Sequence, residues 1–469
     1  MMSGLKCAAW CLSLLVSTPG LLQAAIWQDV AAPELMAKGS TAAPHYYRAL
    51  QADQDQLKQA LALAPLENTS SQWASITLPL PQGVNQMFEL EASPILAPAL
   101  AAAYPGIATY RVRGIDDPSV TGRLDMTPEG FHAMLTTPAG AVFIDPDGVG
   151  GYRSYFKQDY AASLGGEISA PVCRMSELSP ESSTDTTTLP SLAQRTVSGN
   201  LRRTYRLAVA TTGEYGQYFG SKANATSNIV TTINRVNQIY GRDLAIQLQL
   251  AAVVIYTNPN TDPYDPSGSL TALLVKNQEI LDFEVGTDNY DIGHVFGLAG
   301  GGLASLGAAC TSFKAQGYTG HPTPVGDAFY IDFVAHELGH QLDATHSFNG
   351  TTLNCASPNR YANTAVEPGS GSTIMAYAGI CAGEDLQNTS DATFHAVNIQ
   401  QVHSFAFAGG GSQCGTLTAT GNNIPTSNAG ANATIPQGTP FVLTGTASDV
   451  DGDTLSYQWD EIDANDRRG

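Results

Sequence analysis

The sequence predicts an α/β fold for the middle of this 469-residue chain, with an α+β region before it and part of a β-sandwich after it. Two observations predict the middle. Between about residues 205 and 299, apolar runs of strand length alternate with helical patterns, the order that gives a mostly parallel sheet with helices packed on it. A prior of about 150 residues per domain also allows two to four folding units, each able to bury its own core. A third observation concerns the end of the chain: from about Gly415 the composition turns to Thr, Asn, Gly and Ala, followed by short alternating runs.

The elements follow in chain order. Residues 1–25 carry Lys6, an apolar run from Cys7 to about Val16, and small residues at Ala24 and Ala25. This is the pattern of a secretory signal peptide. The run is shorter than the ~20 apolar residues of a spanning helix, and Pro19 and Gly20 interrupt it. No other segment is apolar enough to cross a bilayer, so an exported, extracellular protein is expected.

Residues 26–200 form the α+β region and a linker. The stretch 44–65 reads as an amphipathic helix, and 75–81, 106–115, 122–128 and 141–147 read as short strands. Residues 176–194 are rich in Ser, Thr and Pro, which marks a linker. Arg202 and Arg203 then precede a strand beginning near Tyr205; the pair reads either as a processing site or as the start of the strand. Next come a helix over 226–243, a strand over 244–257, a helix over 270–286 and a strand over 290–299. The Gly-rich stretch 297–310 reads as a flexible loop or as a close approach to a ligand. It lacks the Lys and Ser or Thr of a phosphate loop.

The tail, residues 415–469, predicts two strands: one around Phe441 and Leu443, one around Leu455, Tyr457 and Trp459. They resemble the first half of an immunoglobulin-like sandwich of the polycystic-kidney or cadherin type. A full sandwich needs about seven strands, so a module cut short is expected. Asp449, Asp451 and Asp453 between these runs alternate as calcium ligands do, but no Glu stands at the twelfth position of an EF-hand loop. A solvated turn is the preferred reading and Ca²⁺ the weaker one.

Charge and cysteines narrow the function. With 22 Lys and Arg against 42 Asp and Glu, the net charge is −20. That disfavours nucleic acid or an anionic membrane as the main partner. Of seven cysteines, Cys7 and Cys11 leave with the signal peptide. Among the remaining five, Cys310, Cys355, Cys381 and Cys414 lie after residue 300, where an oxidising compartment favours two bridges. Cys173 is left over.

Residues 336–346 read HELGHQLDATH. His336 and His340, four apart, project from one face of a helix, one turn apart. Neutral imidazole is a good ligand for tetrahedral Zn²⁺. Glu337 beside them can reach a zinc-bound water without being a ligand, and a carboxylate there can accept that water's proton. A third histidine, His346, follows six residues after His340. Only 9 of 469 residues are His, so this spacing is rarely accidental. Three protein ligands with an open fourth position are what a catalytic zinc requires.

These residues, with GSTIMAYAGIC at 371–381, resemble the zinc-binding helix and Met-turn of the metzincin metallopeptidases, and within them the bacterial reprolysin-like (adamalysin-like) proteins. The resemblance covers about residues 200–412. It implies a zincin catalytic domain, a mixed twisted sheet with an active-site helix and Met-turn, over 201–414. It also implies one Zn²⁺ on His336, His340 and His346, Glu337 as general base, and Met375 beneath the metal. Protein or peptide substrates are implied, bound along a sheet edge. The family has Gly where this chain has Asp343; Asp tolerates the left-handed conformation that the turn needs. Asp343 as third ligand is the alternative, but it leaves His346 unexplained. Tyr377 matches a tyrosine that in some metzincins steadies the oxyanion, although a lone Tyr is also an ordinary packing residue. Cys173 becomes the candidate zymogen thiol, with an inert free thiol as the other reading, and the family habit pairs Cys310 with Cys414 and Cys355 with Cys381. A secreted zinc endopeptidase made as a zymogen is the leading expectation, and a surface adhesin with a vestigial protease domain the alternative.

Overall fold

The computed structural model describes residues 25–31, 44–69, 72–160, 174–176, 199–264 and 268–462. The signal-peptide expectation, the 176–194 linker and Cys173 fall outside these residues, apart from Ala25 and the backbone of Ser176.

The N-terminal region is a nine-stranded antiparallel sheet. Its strands are β1 (Trp27–Asp29), β2 (Arg48–Ala52), β3 (Ala74–Pro79), β4 (Asn85–Ala92), β5 (Ala108–Gly114), β6 (Thr121–Thr127), β7 (Gly130–Thr137), β8 (Gly140–Pro146) and β9 (Tyr152–Phe156). Their order is β1-β2-β9-β8-β7-β6-β5-β4-β3. Two short helices, α1 (Gln54–Ala62) and α2 (Pro98–Ala103), interrupt it. The helix expected over 44–65 is therefore only partly present. Residues 48–52 instead form β2, held between β1 and β9. Asp53 ends the strand and caps α1, accepting from the backbone N–H of Asp55 and Gln56.

The second sheet carries the site. It comprises β10 (Arg174–Ser176), β11 (Leu201–Thr211), β12 (Ile246–Ile255), β13 (Ile292–Gly297), β14 (Gly301–Ser305) and β15 (Gly317–Gly320), in the order β10-β14-β15-β13-β11-β12. The strands β12, β11, β13 and β15 run parallel, while β14 is antiparallel to β15. The Gly-rich stretch thus supplies a strand near the sheet's edge rather than a loop. The helices are α3 (Gly213–Phe219), α4 (Lys222–Ile239), α5 (Leu270–Leu281), α6 (His336–Gln341) and α7 (Ala396–Phe407). The α4 helix is buried over almost its whole length. The π-wound segment Ala328–Ala335 runs directly into α6.

The two sheets share a core. Ile95, Leu96, Ile107, Met134, Phe143 and Tyr155 of the N-terminal region pack in one cluster with Ile229, Ile233, Leu248 and Leu338. Leu250 of β12 exchanges backbone hydrogen bonds with the segment Ile95–Ala97.

Arg202 and Arg203 lie inside β11, which begins at Leu201. β16 (Thr416–Ala419) pairs antiparallel with its first residues. In the tail, β17 (Thr426–Asn428) pairs with β18 (Thr446–Ser448), and the runs around Phe441 and Leu455 are not strands. Phe441, Leu443, Tyr457 and Trp459 are exposed. With no facing sheet among the described residues to bury them, alternation alone does not make a ladder there. Disulfides join Cys310 to Cys414 and Cys355 to Cys381, with Cα atoms 5.4 and 5.3 Å apart, as the family habit implied.

Candidate metal centre and active site

The site is built on α6 and the turn that ends it. His336, Glu337 and His340 are buried on this helix. At its end Asp343 adopts the left-handed conformation, φ 74°. The N–H of Ala344 bonds to Gly339 O at 3.0 Å and that of Asp343 to His340 O at 2.9 Å. This is the paired closure of a Schellman end, with Asp in place of the usual glycine. It reverses the chain and brings His346 back to the helix.

All three imidazoles are oriented by backbone carbonyls. Nδ1 of His336 donates to Ile374 O at 2.6 Å, Nδ1 of His340 to Ala344 O at 2.7 Å, and Nδ1 of His346 to Asn359 O at 2.6 Å. Each ring therefore turns Nε2 inward. The Nε2 atoms of His336 and His340 lie 3.2 and 3.1 Å from that of His346. Tetrahedral zinc with Zn–N distances of about 2.0–2.1 Å requires nitrogens about 3.3 Å apart. The donor set fits.

Burial also keeps the rings neutral, as ligation requires. It pushes His336 down to about 4 and His346 down to about 3, only partly opposed by their carbonyl partners. His340 falls well below the ordinary range through burial first, then its two histidine neighbours.

The glycines around the helix have defined tasks. A Cβ on Gly302 of β14 would lie 1.9 Å from Glu337 Oε1. The missing side chain gives the Glu337 carboxyl its place against β14. A Cβ on Gly339 would lie 2.7 Å from Met375 Sδ, so Met375, fully buried, packs directly against the helix turn between His336 and His340. Tyr377 is buried beside the triad, its ring centroid 4.5 Å from those of His346 and Phe348 and 5.9 Å from that of His336.

Sequence reasoning thus names residues that the fold brings together: His336, Glu337, His340, His346, Met375 and Tyr377. Asp343 serves the turn. Asp449, Asp451 and Asp453 also lie close to one another, but Asp449 accepts from the N–H groups of Asp451 and Asp453 as a turn aspartate does. The reading missed Gly302, the carbonyl acceptors Ile374 and Asn359, and Glu367. The carboxyl of Glu367 joins the segment after His346 to the Met-turn.

A helix presenting two histidines, a third returned by a tight turn, a neighbouring buried carboxylate and a methionine beneath define a metallopeptidase. Residues 201–406 match the sequence model of the metallo-peptidase family M12B reprolysin-like proteins, which supports a reprolysin-like metzincin over this part of the chain. The family implies a zinc ion, for which the three histidines form a fitting triad, and protein or peptide substrates. No curated protein matches the chain. Among solved structures, metalloproteinase-II from Bacteroides fragilis is similar at 12% identity and TM-score 0.41, over 75% of this chain and 95% of that one. A chaperone–substrate complex is similar at 13% identity and TM-score 0.27, over 44% of this chain and 36% of that one. No helix among the described residues is long and apolar enough to cross a membrane.

Proposed function

We propose that the protein is a secreted zinc endopeptidase made as a zymogen. Residues 1–25 are its signal peptide, 26–200 its propeptide and linker, 201–414 its catalytic domain, and 415–469 a linker and partial sandwich module. His336, His340 and His346 hold the metal, and Glu337 is the general base. The observation that carries this reading is the convergence of three carbonyl-oriented Nε2 atoms on the helix that bears Glu337.

Zinc, when bound, lowers the pKa of a ligated water towards ~7 and polarises a carbonyl oxygen. The rest is the work of side chains. Glu337 takes the proton of the attacking water and passes it to the leaving amine nitrogen. Tyr377, beside His346, donates to the oxygen on which charge develops. Met375 fills the space under the helix and fixes its height.

The peptide lies extended along β14, pairing backbone to backbone. The zymogen reading draws support from that same strand. Arg174–Ser176, directly after Cys173, pair with Leu303–Ser305 in parallel. The chain's own segment thus lies where a substrate would pair, and the thiol next to it is the candidate that blocks the metal.

One series of assays tests these points. Wild-type chain trimmed of the segment around Cys173 by cuts on both sides of residues 173–176, with the N-terminal sheet left in the shared core, is expected to cleave casein and to lose that activity with a zinc chelator, while the uncut chain is expected to be inactive. Glu337→Gln is expected to keep its zinc and lose activity at least about 10²-fold. Full activity in that variant would sink the mechanism, and no cleavage by the trimmed wild type would favour the adhesin alternative. Recovery of the chain from the culture medium tests secretion.

A further inference from the structure

Glu367 lies outside the zinc-helix motif, yet its buried carboxyl is the meeting point of the two segments that orient the ligands. One oxygen, Oε1, accepts from the Ser347 hydroxyl at 2.6 Å and from the Thr373 hydroxyl. The other, Oε2, accepts from the backbone N–H of Ser372 at 2.7 Å and of Thr373 at 3.0 Å. Four donors on one carboxyl make a charge-assisted node rather than an incidental contact.

Two of the donor residues adjoin the metal centre directly. Ser347 directly follows His346, and Thr373 directly precedes Ile374, whose carbonyl holds the His336 ring. The backbone repeats the link: Ser347 N donates to Met375 O at 3.1 Å, Glu367 N to Ser347 O at 2.9 Å, and Asn349 N to Glu367 O at 2.7 Å. The turn wraps closely round the carboxyl. A Cβ on Gly371, φ 66°, would lie 3.0 Å from Oε2 and 2.6 Å from Ala376 Cβ, so this turn closes only over glycine.

We infer that Glu367 is a positioning residue of the metal centre, setting where His346 stands relative to His336 by tying the third-ligand loop to the Met-turn. The inference rests on the reading of His336, His340 and His346 as zinc ligands. Groups that orient metal-bound histidines from behind govern affinity as well as geometry, typically by about 10–100-fold. Glutamine in this place would turn an amide N–H₂ towards either the hydroxyl pair or the backbone N–H pair, removing the charge and one acceptor oxygen without removing bulk.

The test uses the full chain, zinc and cobalt. Glu367→Gln is expected to keep the wild-type far-ultraviolet dichroism. It should bind zinc about 10-fold or more weakly in chelator competition and shift the visible absorption of the cobalt-substituted protein. A folded Glu367→Gln with wild-type zinc affinity and cobalt spectrum overturns the proposal, because a purely structural role lowers the melting temperature and leaves both readouts alone. Should that variant fail to fold, Ser347→Ala, which removes a single donor, is expected to weaken zinc binding in the same direction; unchanged binding overturns the proposal equally. Wild-type chain that takes up no zinc, or a His346→Ala variant that binds it as well as wild type, fails the ligand reading instead.

Discussion

Gly302 governs its neighbour by lacking a side chain. The Glu337 carboxyl occupies the volume that a Cβ at 302 would claim, so β14 and this carboxyl are fitted to one another at a single position. Gly302→Ala is expected to push the carboxyl aside while leaving the imidazoles untouched. Zinc content should stay at the wild-type level and kcat/KM should fall, by about 10² if the displacement approaches 1 Å. Measuring both on one preparation separates this from loss of the metal; an unchanged kcat/KM would show that the reaction tolerates the shift of Glu337. In the sequence, 302 was one of several glycines in a run, and no local pattern distinguished it. Its task depends on β14 meeting α6, two segments more than thirty residues apart.

On the scale of elements, the helix α6 was legible and its supports were not. The spacing of His336, Glu337 and His340 is a property of one helical turn, so the motif carried it. The return of His346 needed only a residue able to adopt positive φ at 343, and Asp is one of the few. The supports come from contact between unrelated loops. The carbonyls of Ile374 and Asn359 belong to segments with no periodicity, and Thr345 N reaches Gln401 Oε1 of α7 at 3.1 Å. A similar limit explains residues 44–53: apolar residues that suit a helical stripe also suit β2, and the neighbouring strands β1 and β9 decided between them. The end of α6 also has a pH signature. Burial raises the Asp343 carboxyl from 3.8 to about 6. Between these values the folded chain holds more protons than the unfolded one, so this group's contribution to stability falls as pH rises from 3.8 to about 6. Asp343→Asn, which keeps the tolerance for positive φ, is expected to melt higher at pH 7 and to flatten the dependence across that window. A scanning-calorimetry series from pH 4 to pH 7 checks both, and a lower melting temperature at pH 7 would count against the account.

For the whole molecule, the two sheets are bound more tightly than a releasable segment requires. Six apolar residues of the N-terminal region enter the core around α4. Around them Arg123 Nε donates to Asn234 Oδ1 at 2.7 Å, Thr231 Oγ1 to Asp125 Oδ2 at 2.8 Å, and Lys157 Nζ to Asp332 Oδ1 at 2.9 Å. The fully buried Arg235 of α4 pairs with Asp145 of β8 and, at 3.3 Å, with Asp327. Removing one partner of such a pair costs about 3–5 kcal/mol, because the other charge is left buried. A single cut engineered between residues 161 and 198 is therefore expected to leave the two pieces eluting together in size-exclusion chromatography, separating only in denaturant. Separation in plain buffer would show that the shared core is weaker than its packing implies. The α/β order of the middle was legible because its strands and helices are long and regularly patterned. The nine-stranded sheet before it was only half legible, since β1, β2 and β9 are short runs and β4 and β7, though longer, are recognisable only beside their neighbours.

The pairing of β16 with β11 bears on how the chain can be cut. Residues 203 and 204 are hydrogen-bonded into ladders on both sides, to β12 and to β16. The Arg203 guanidinium is buried, donating to Cys414 O at 2.8 Å. Proteases act on segments that can be drawn out into their clefts, and a strand clamped on both edges offers none. The dibasic pair is thus shielded from tryptic enzymes for as long as the catalytic sheet stays folded, and whatever liberates that sheet must sever the chain upstream of Leu201.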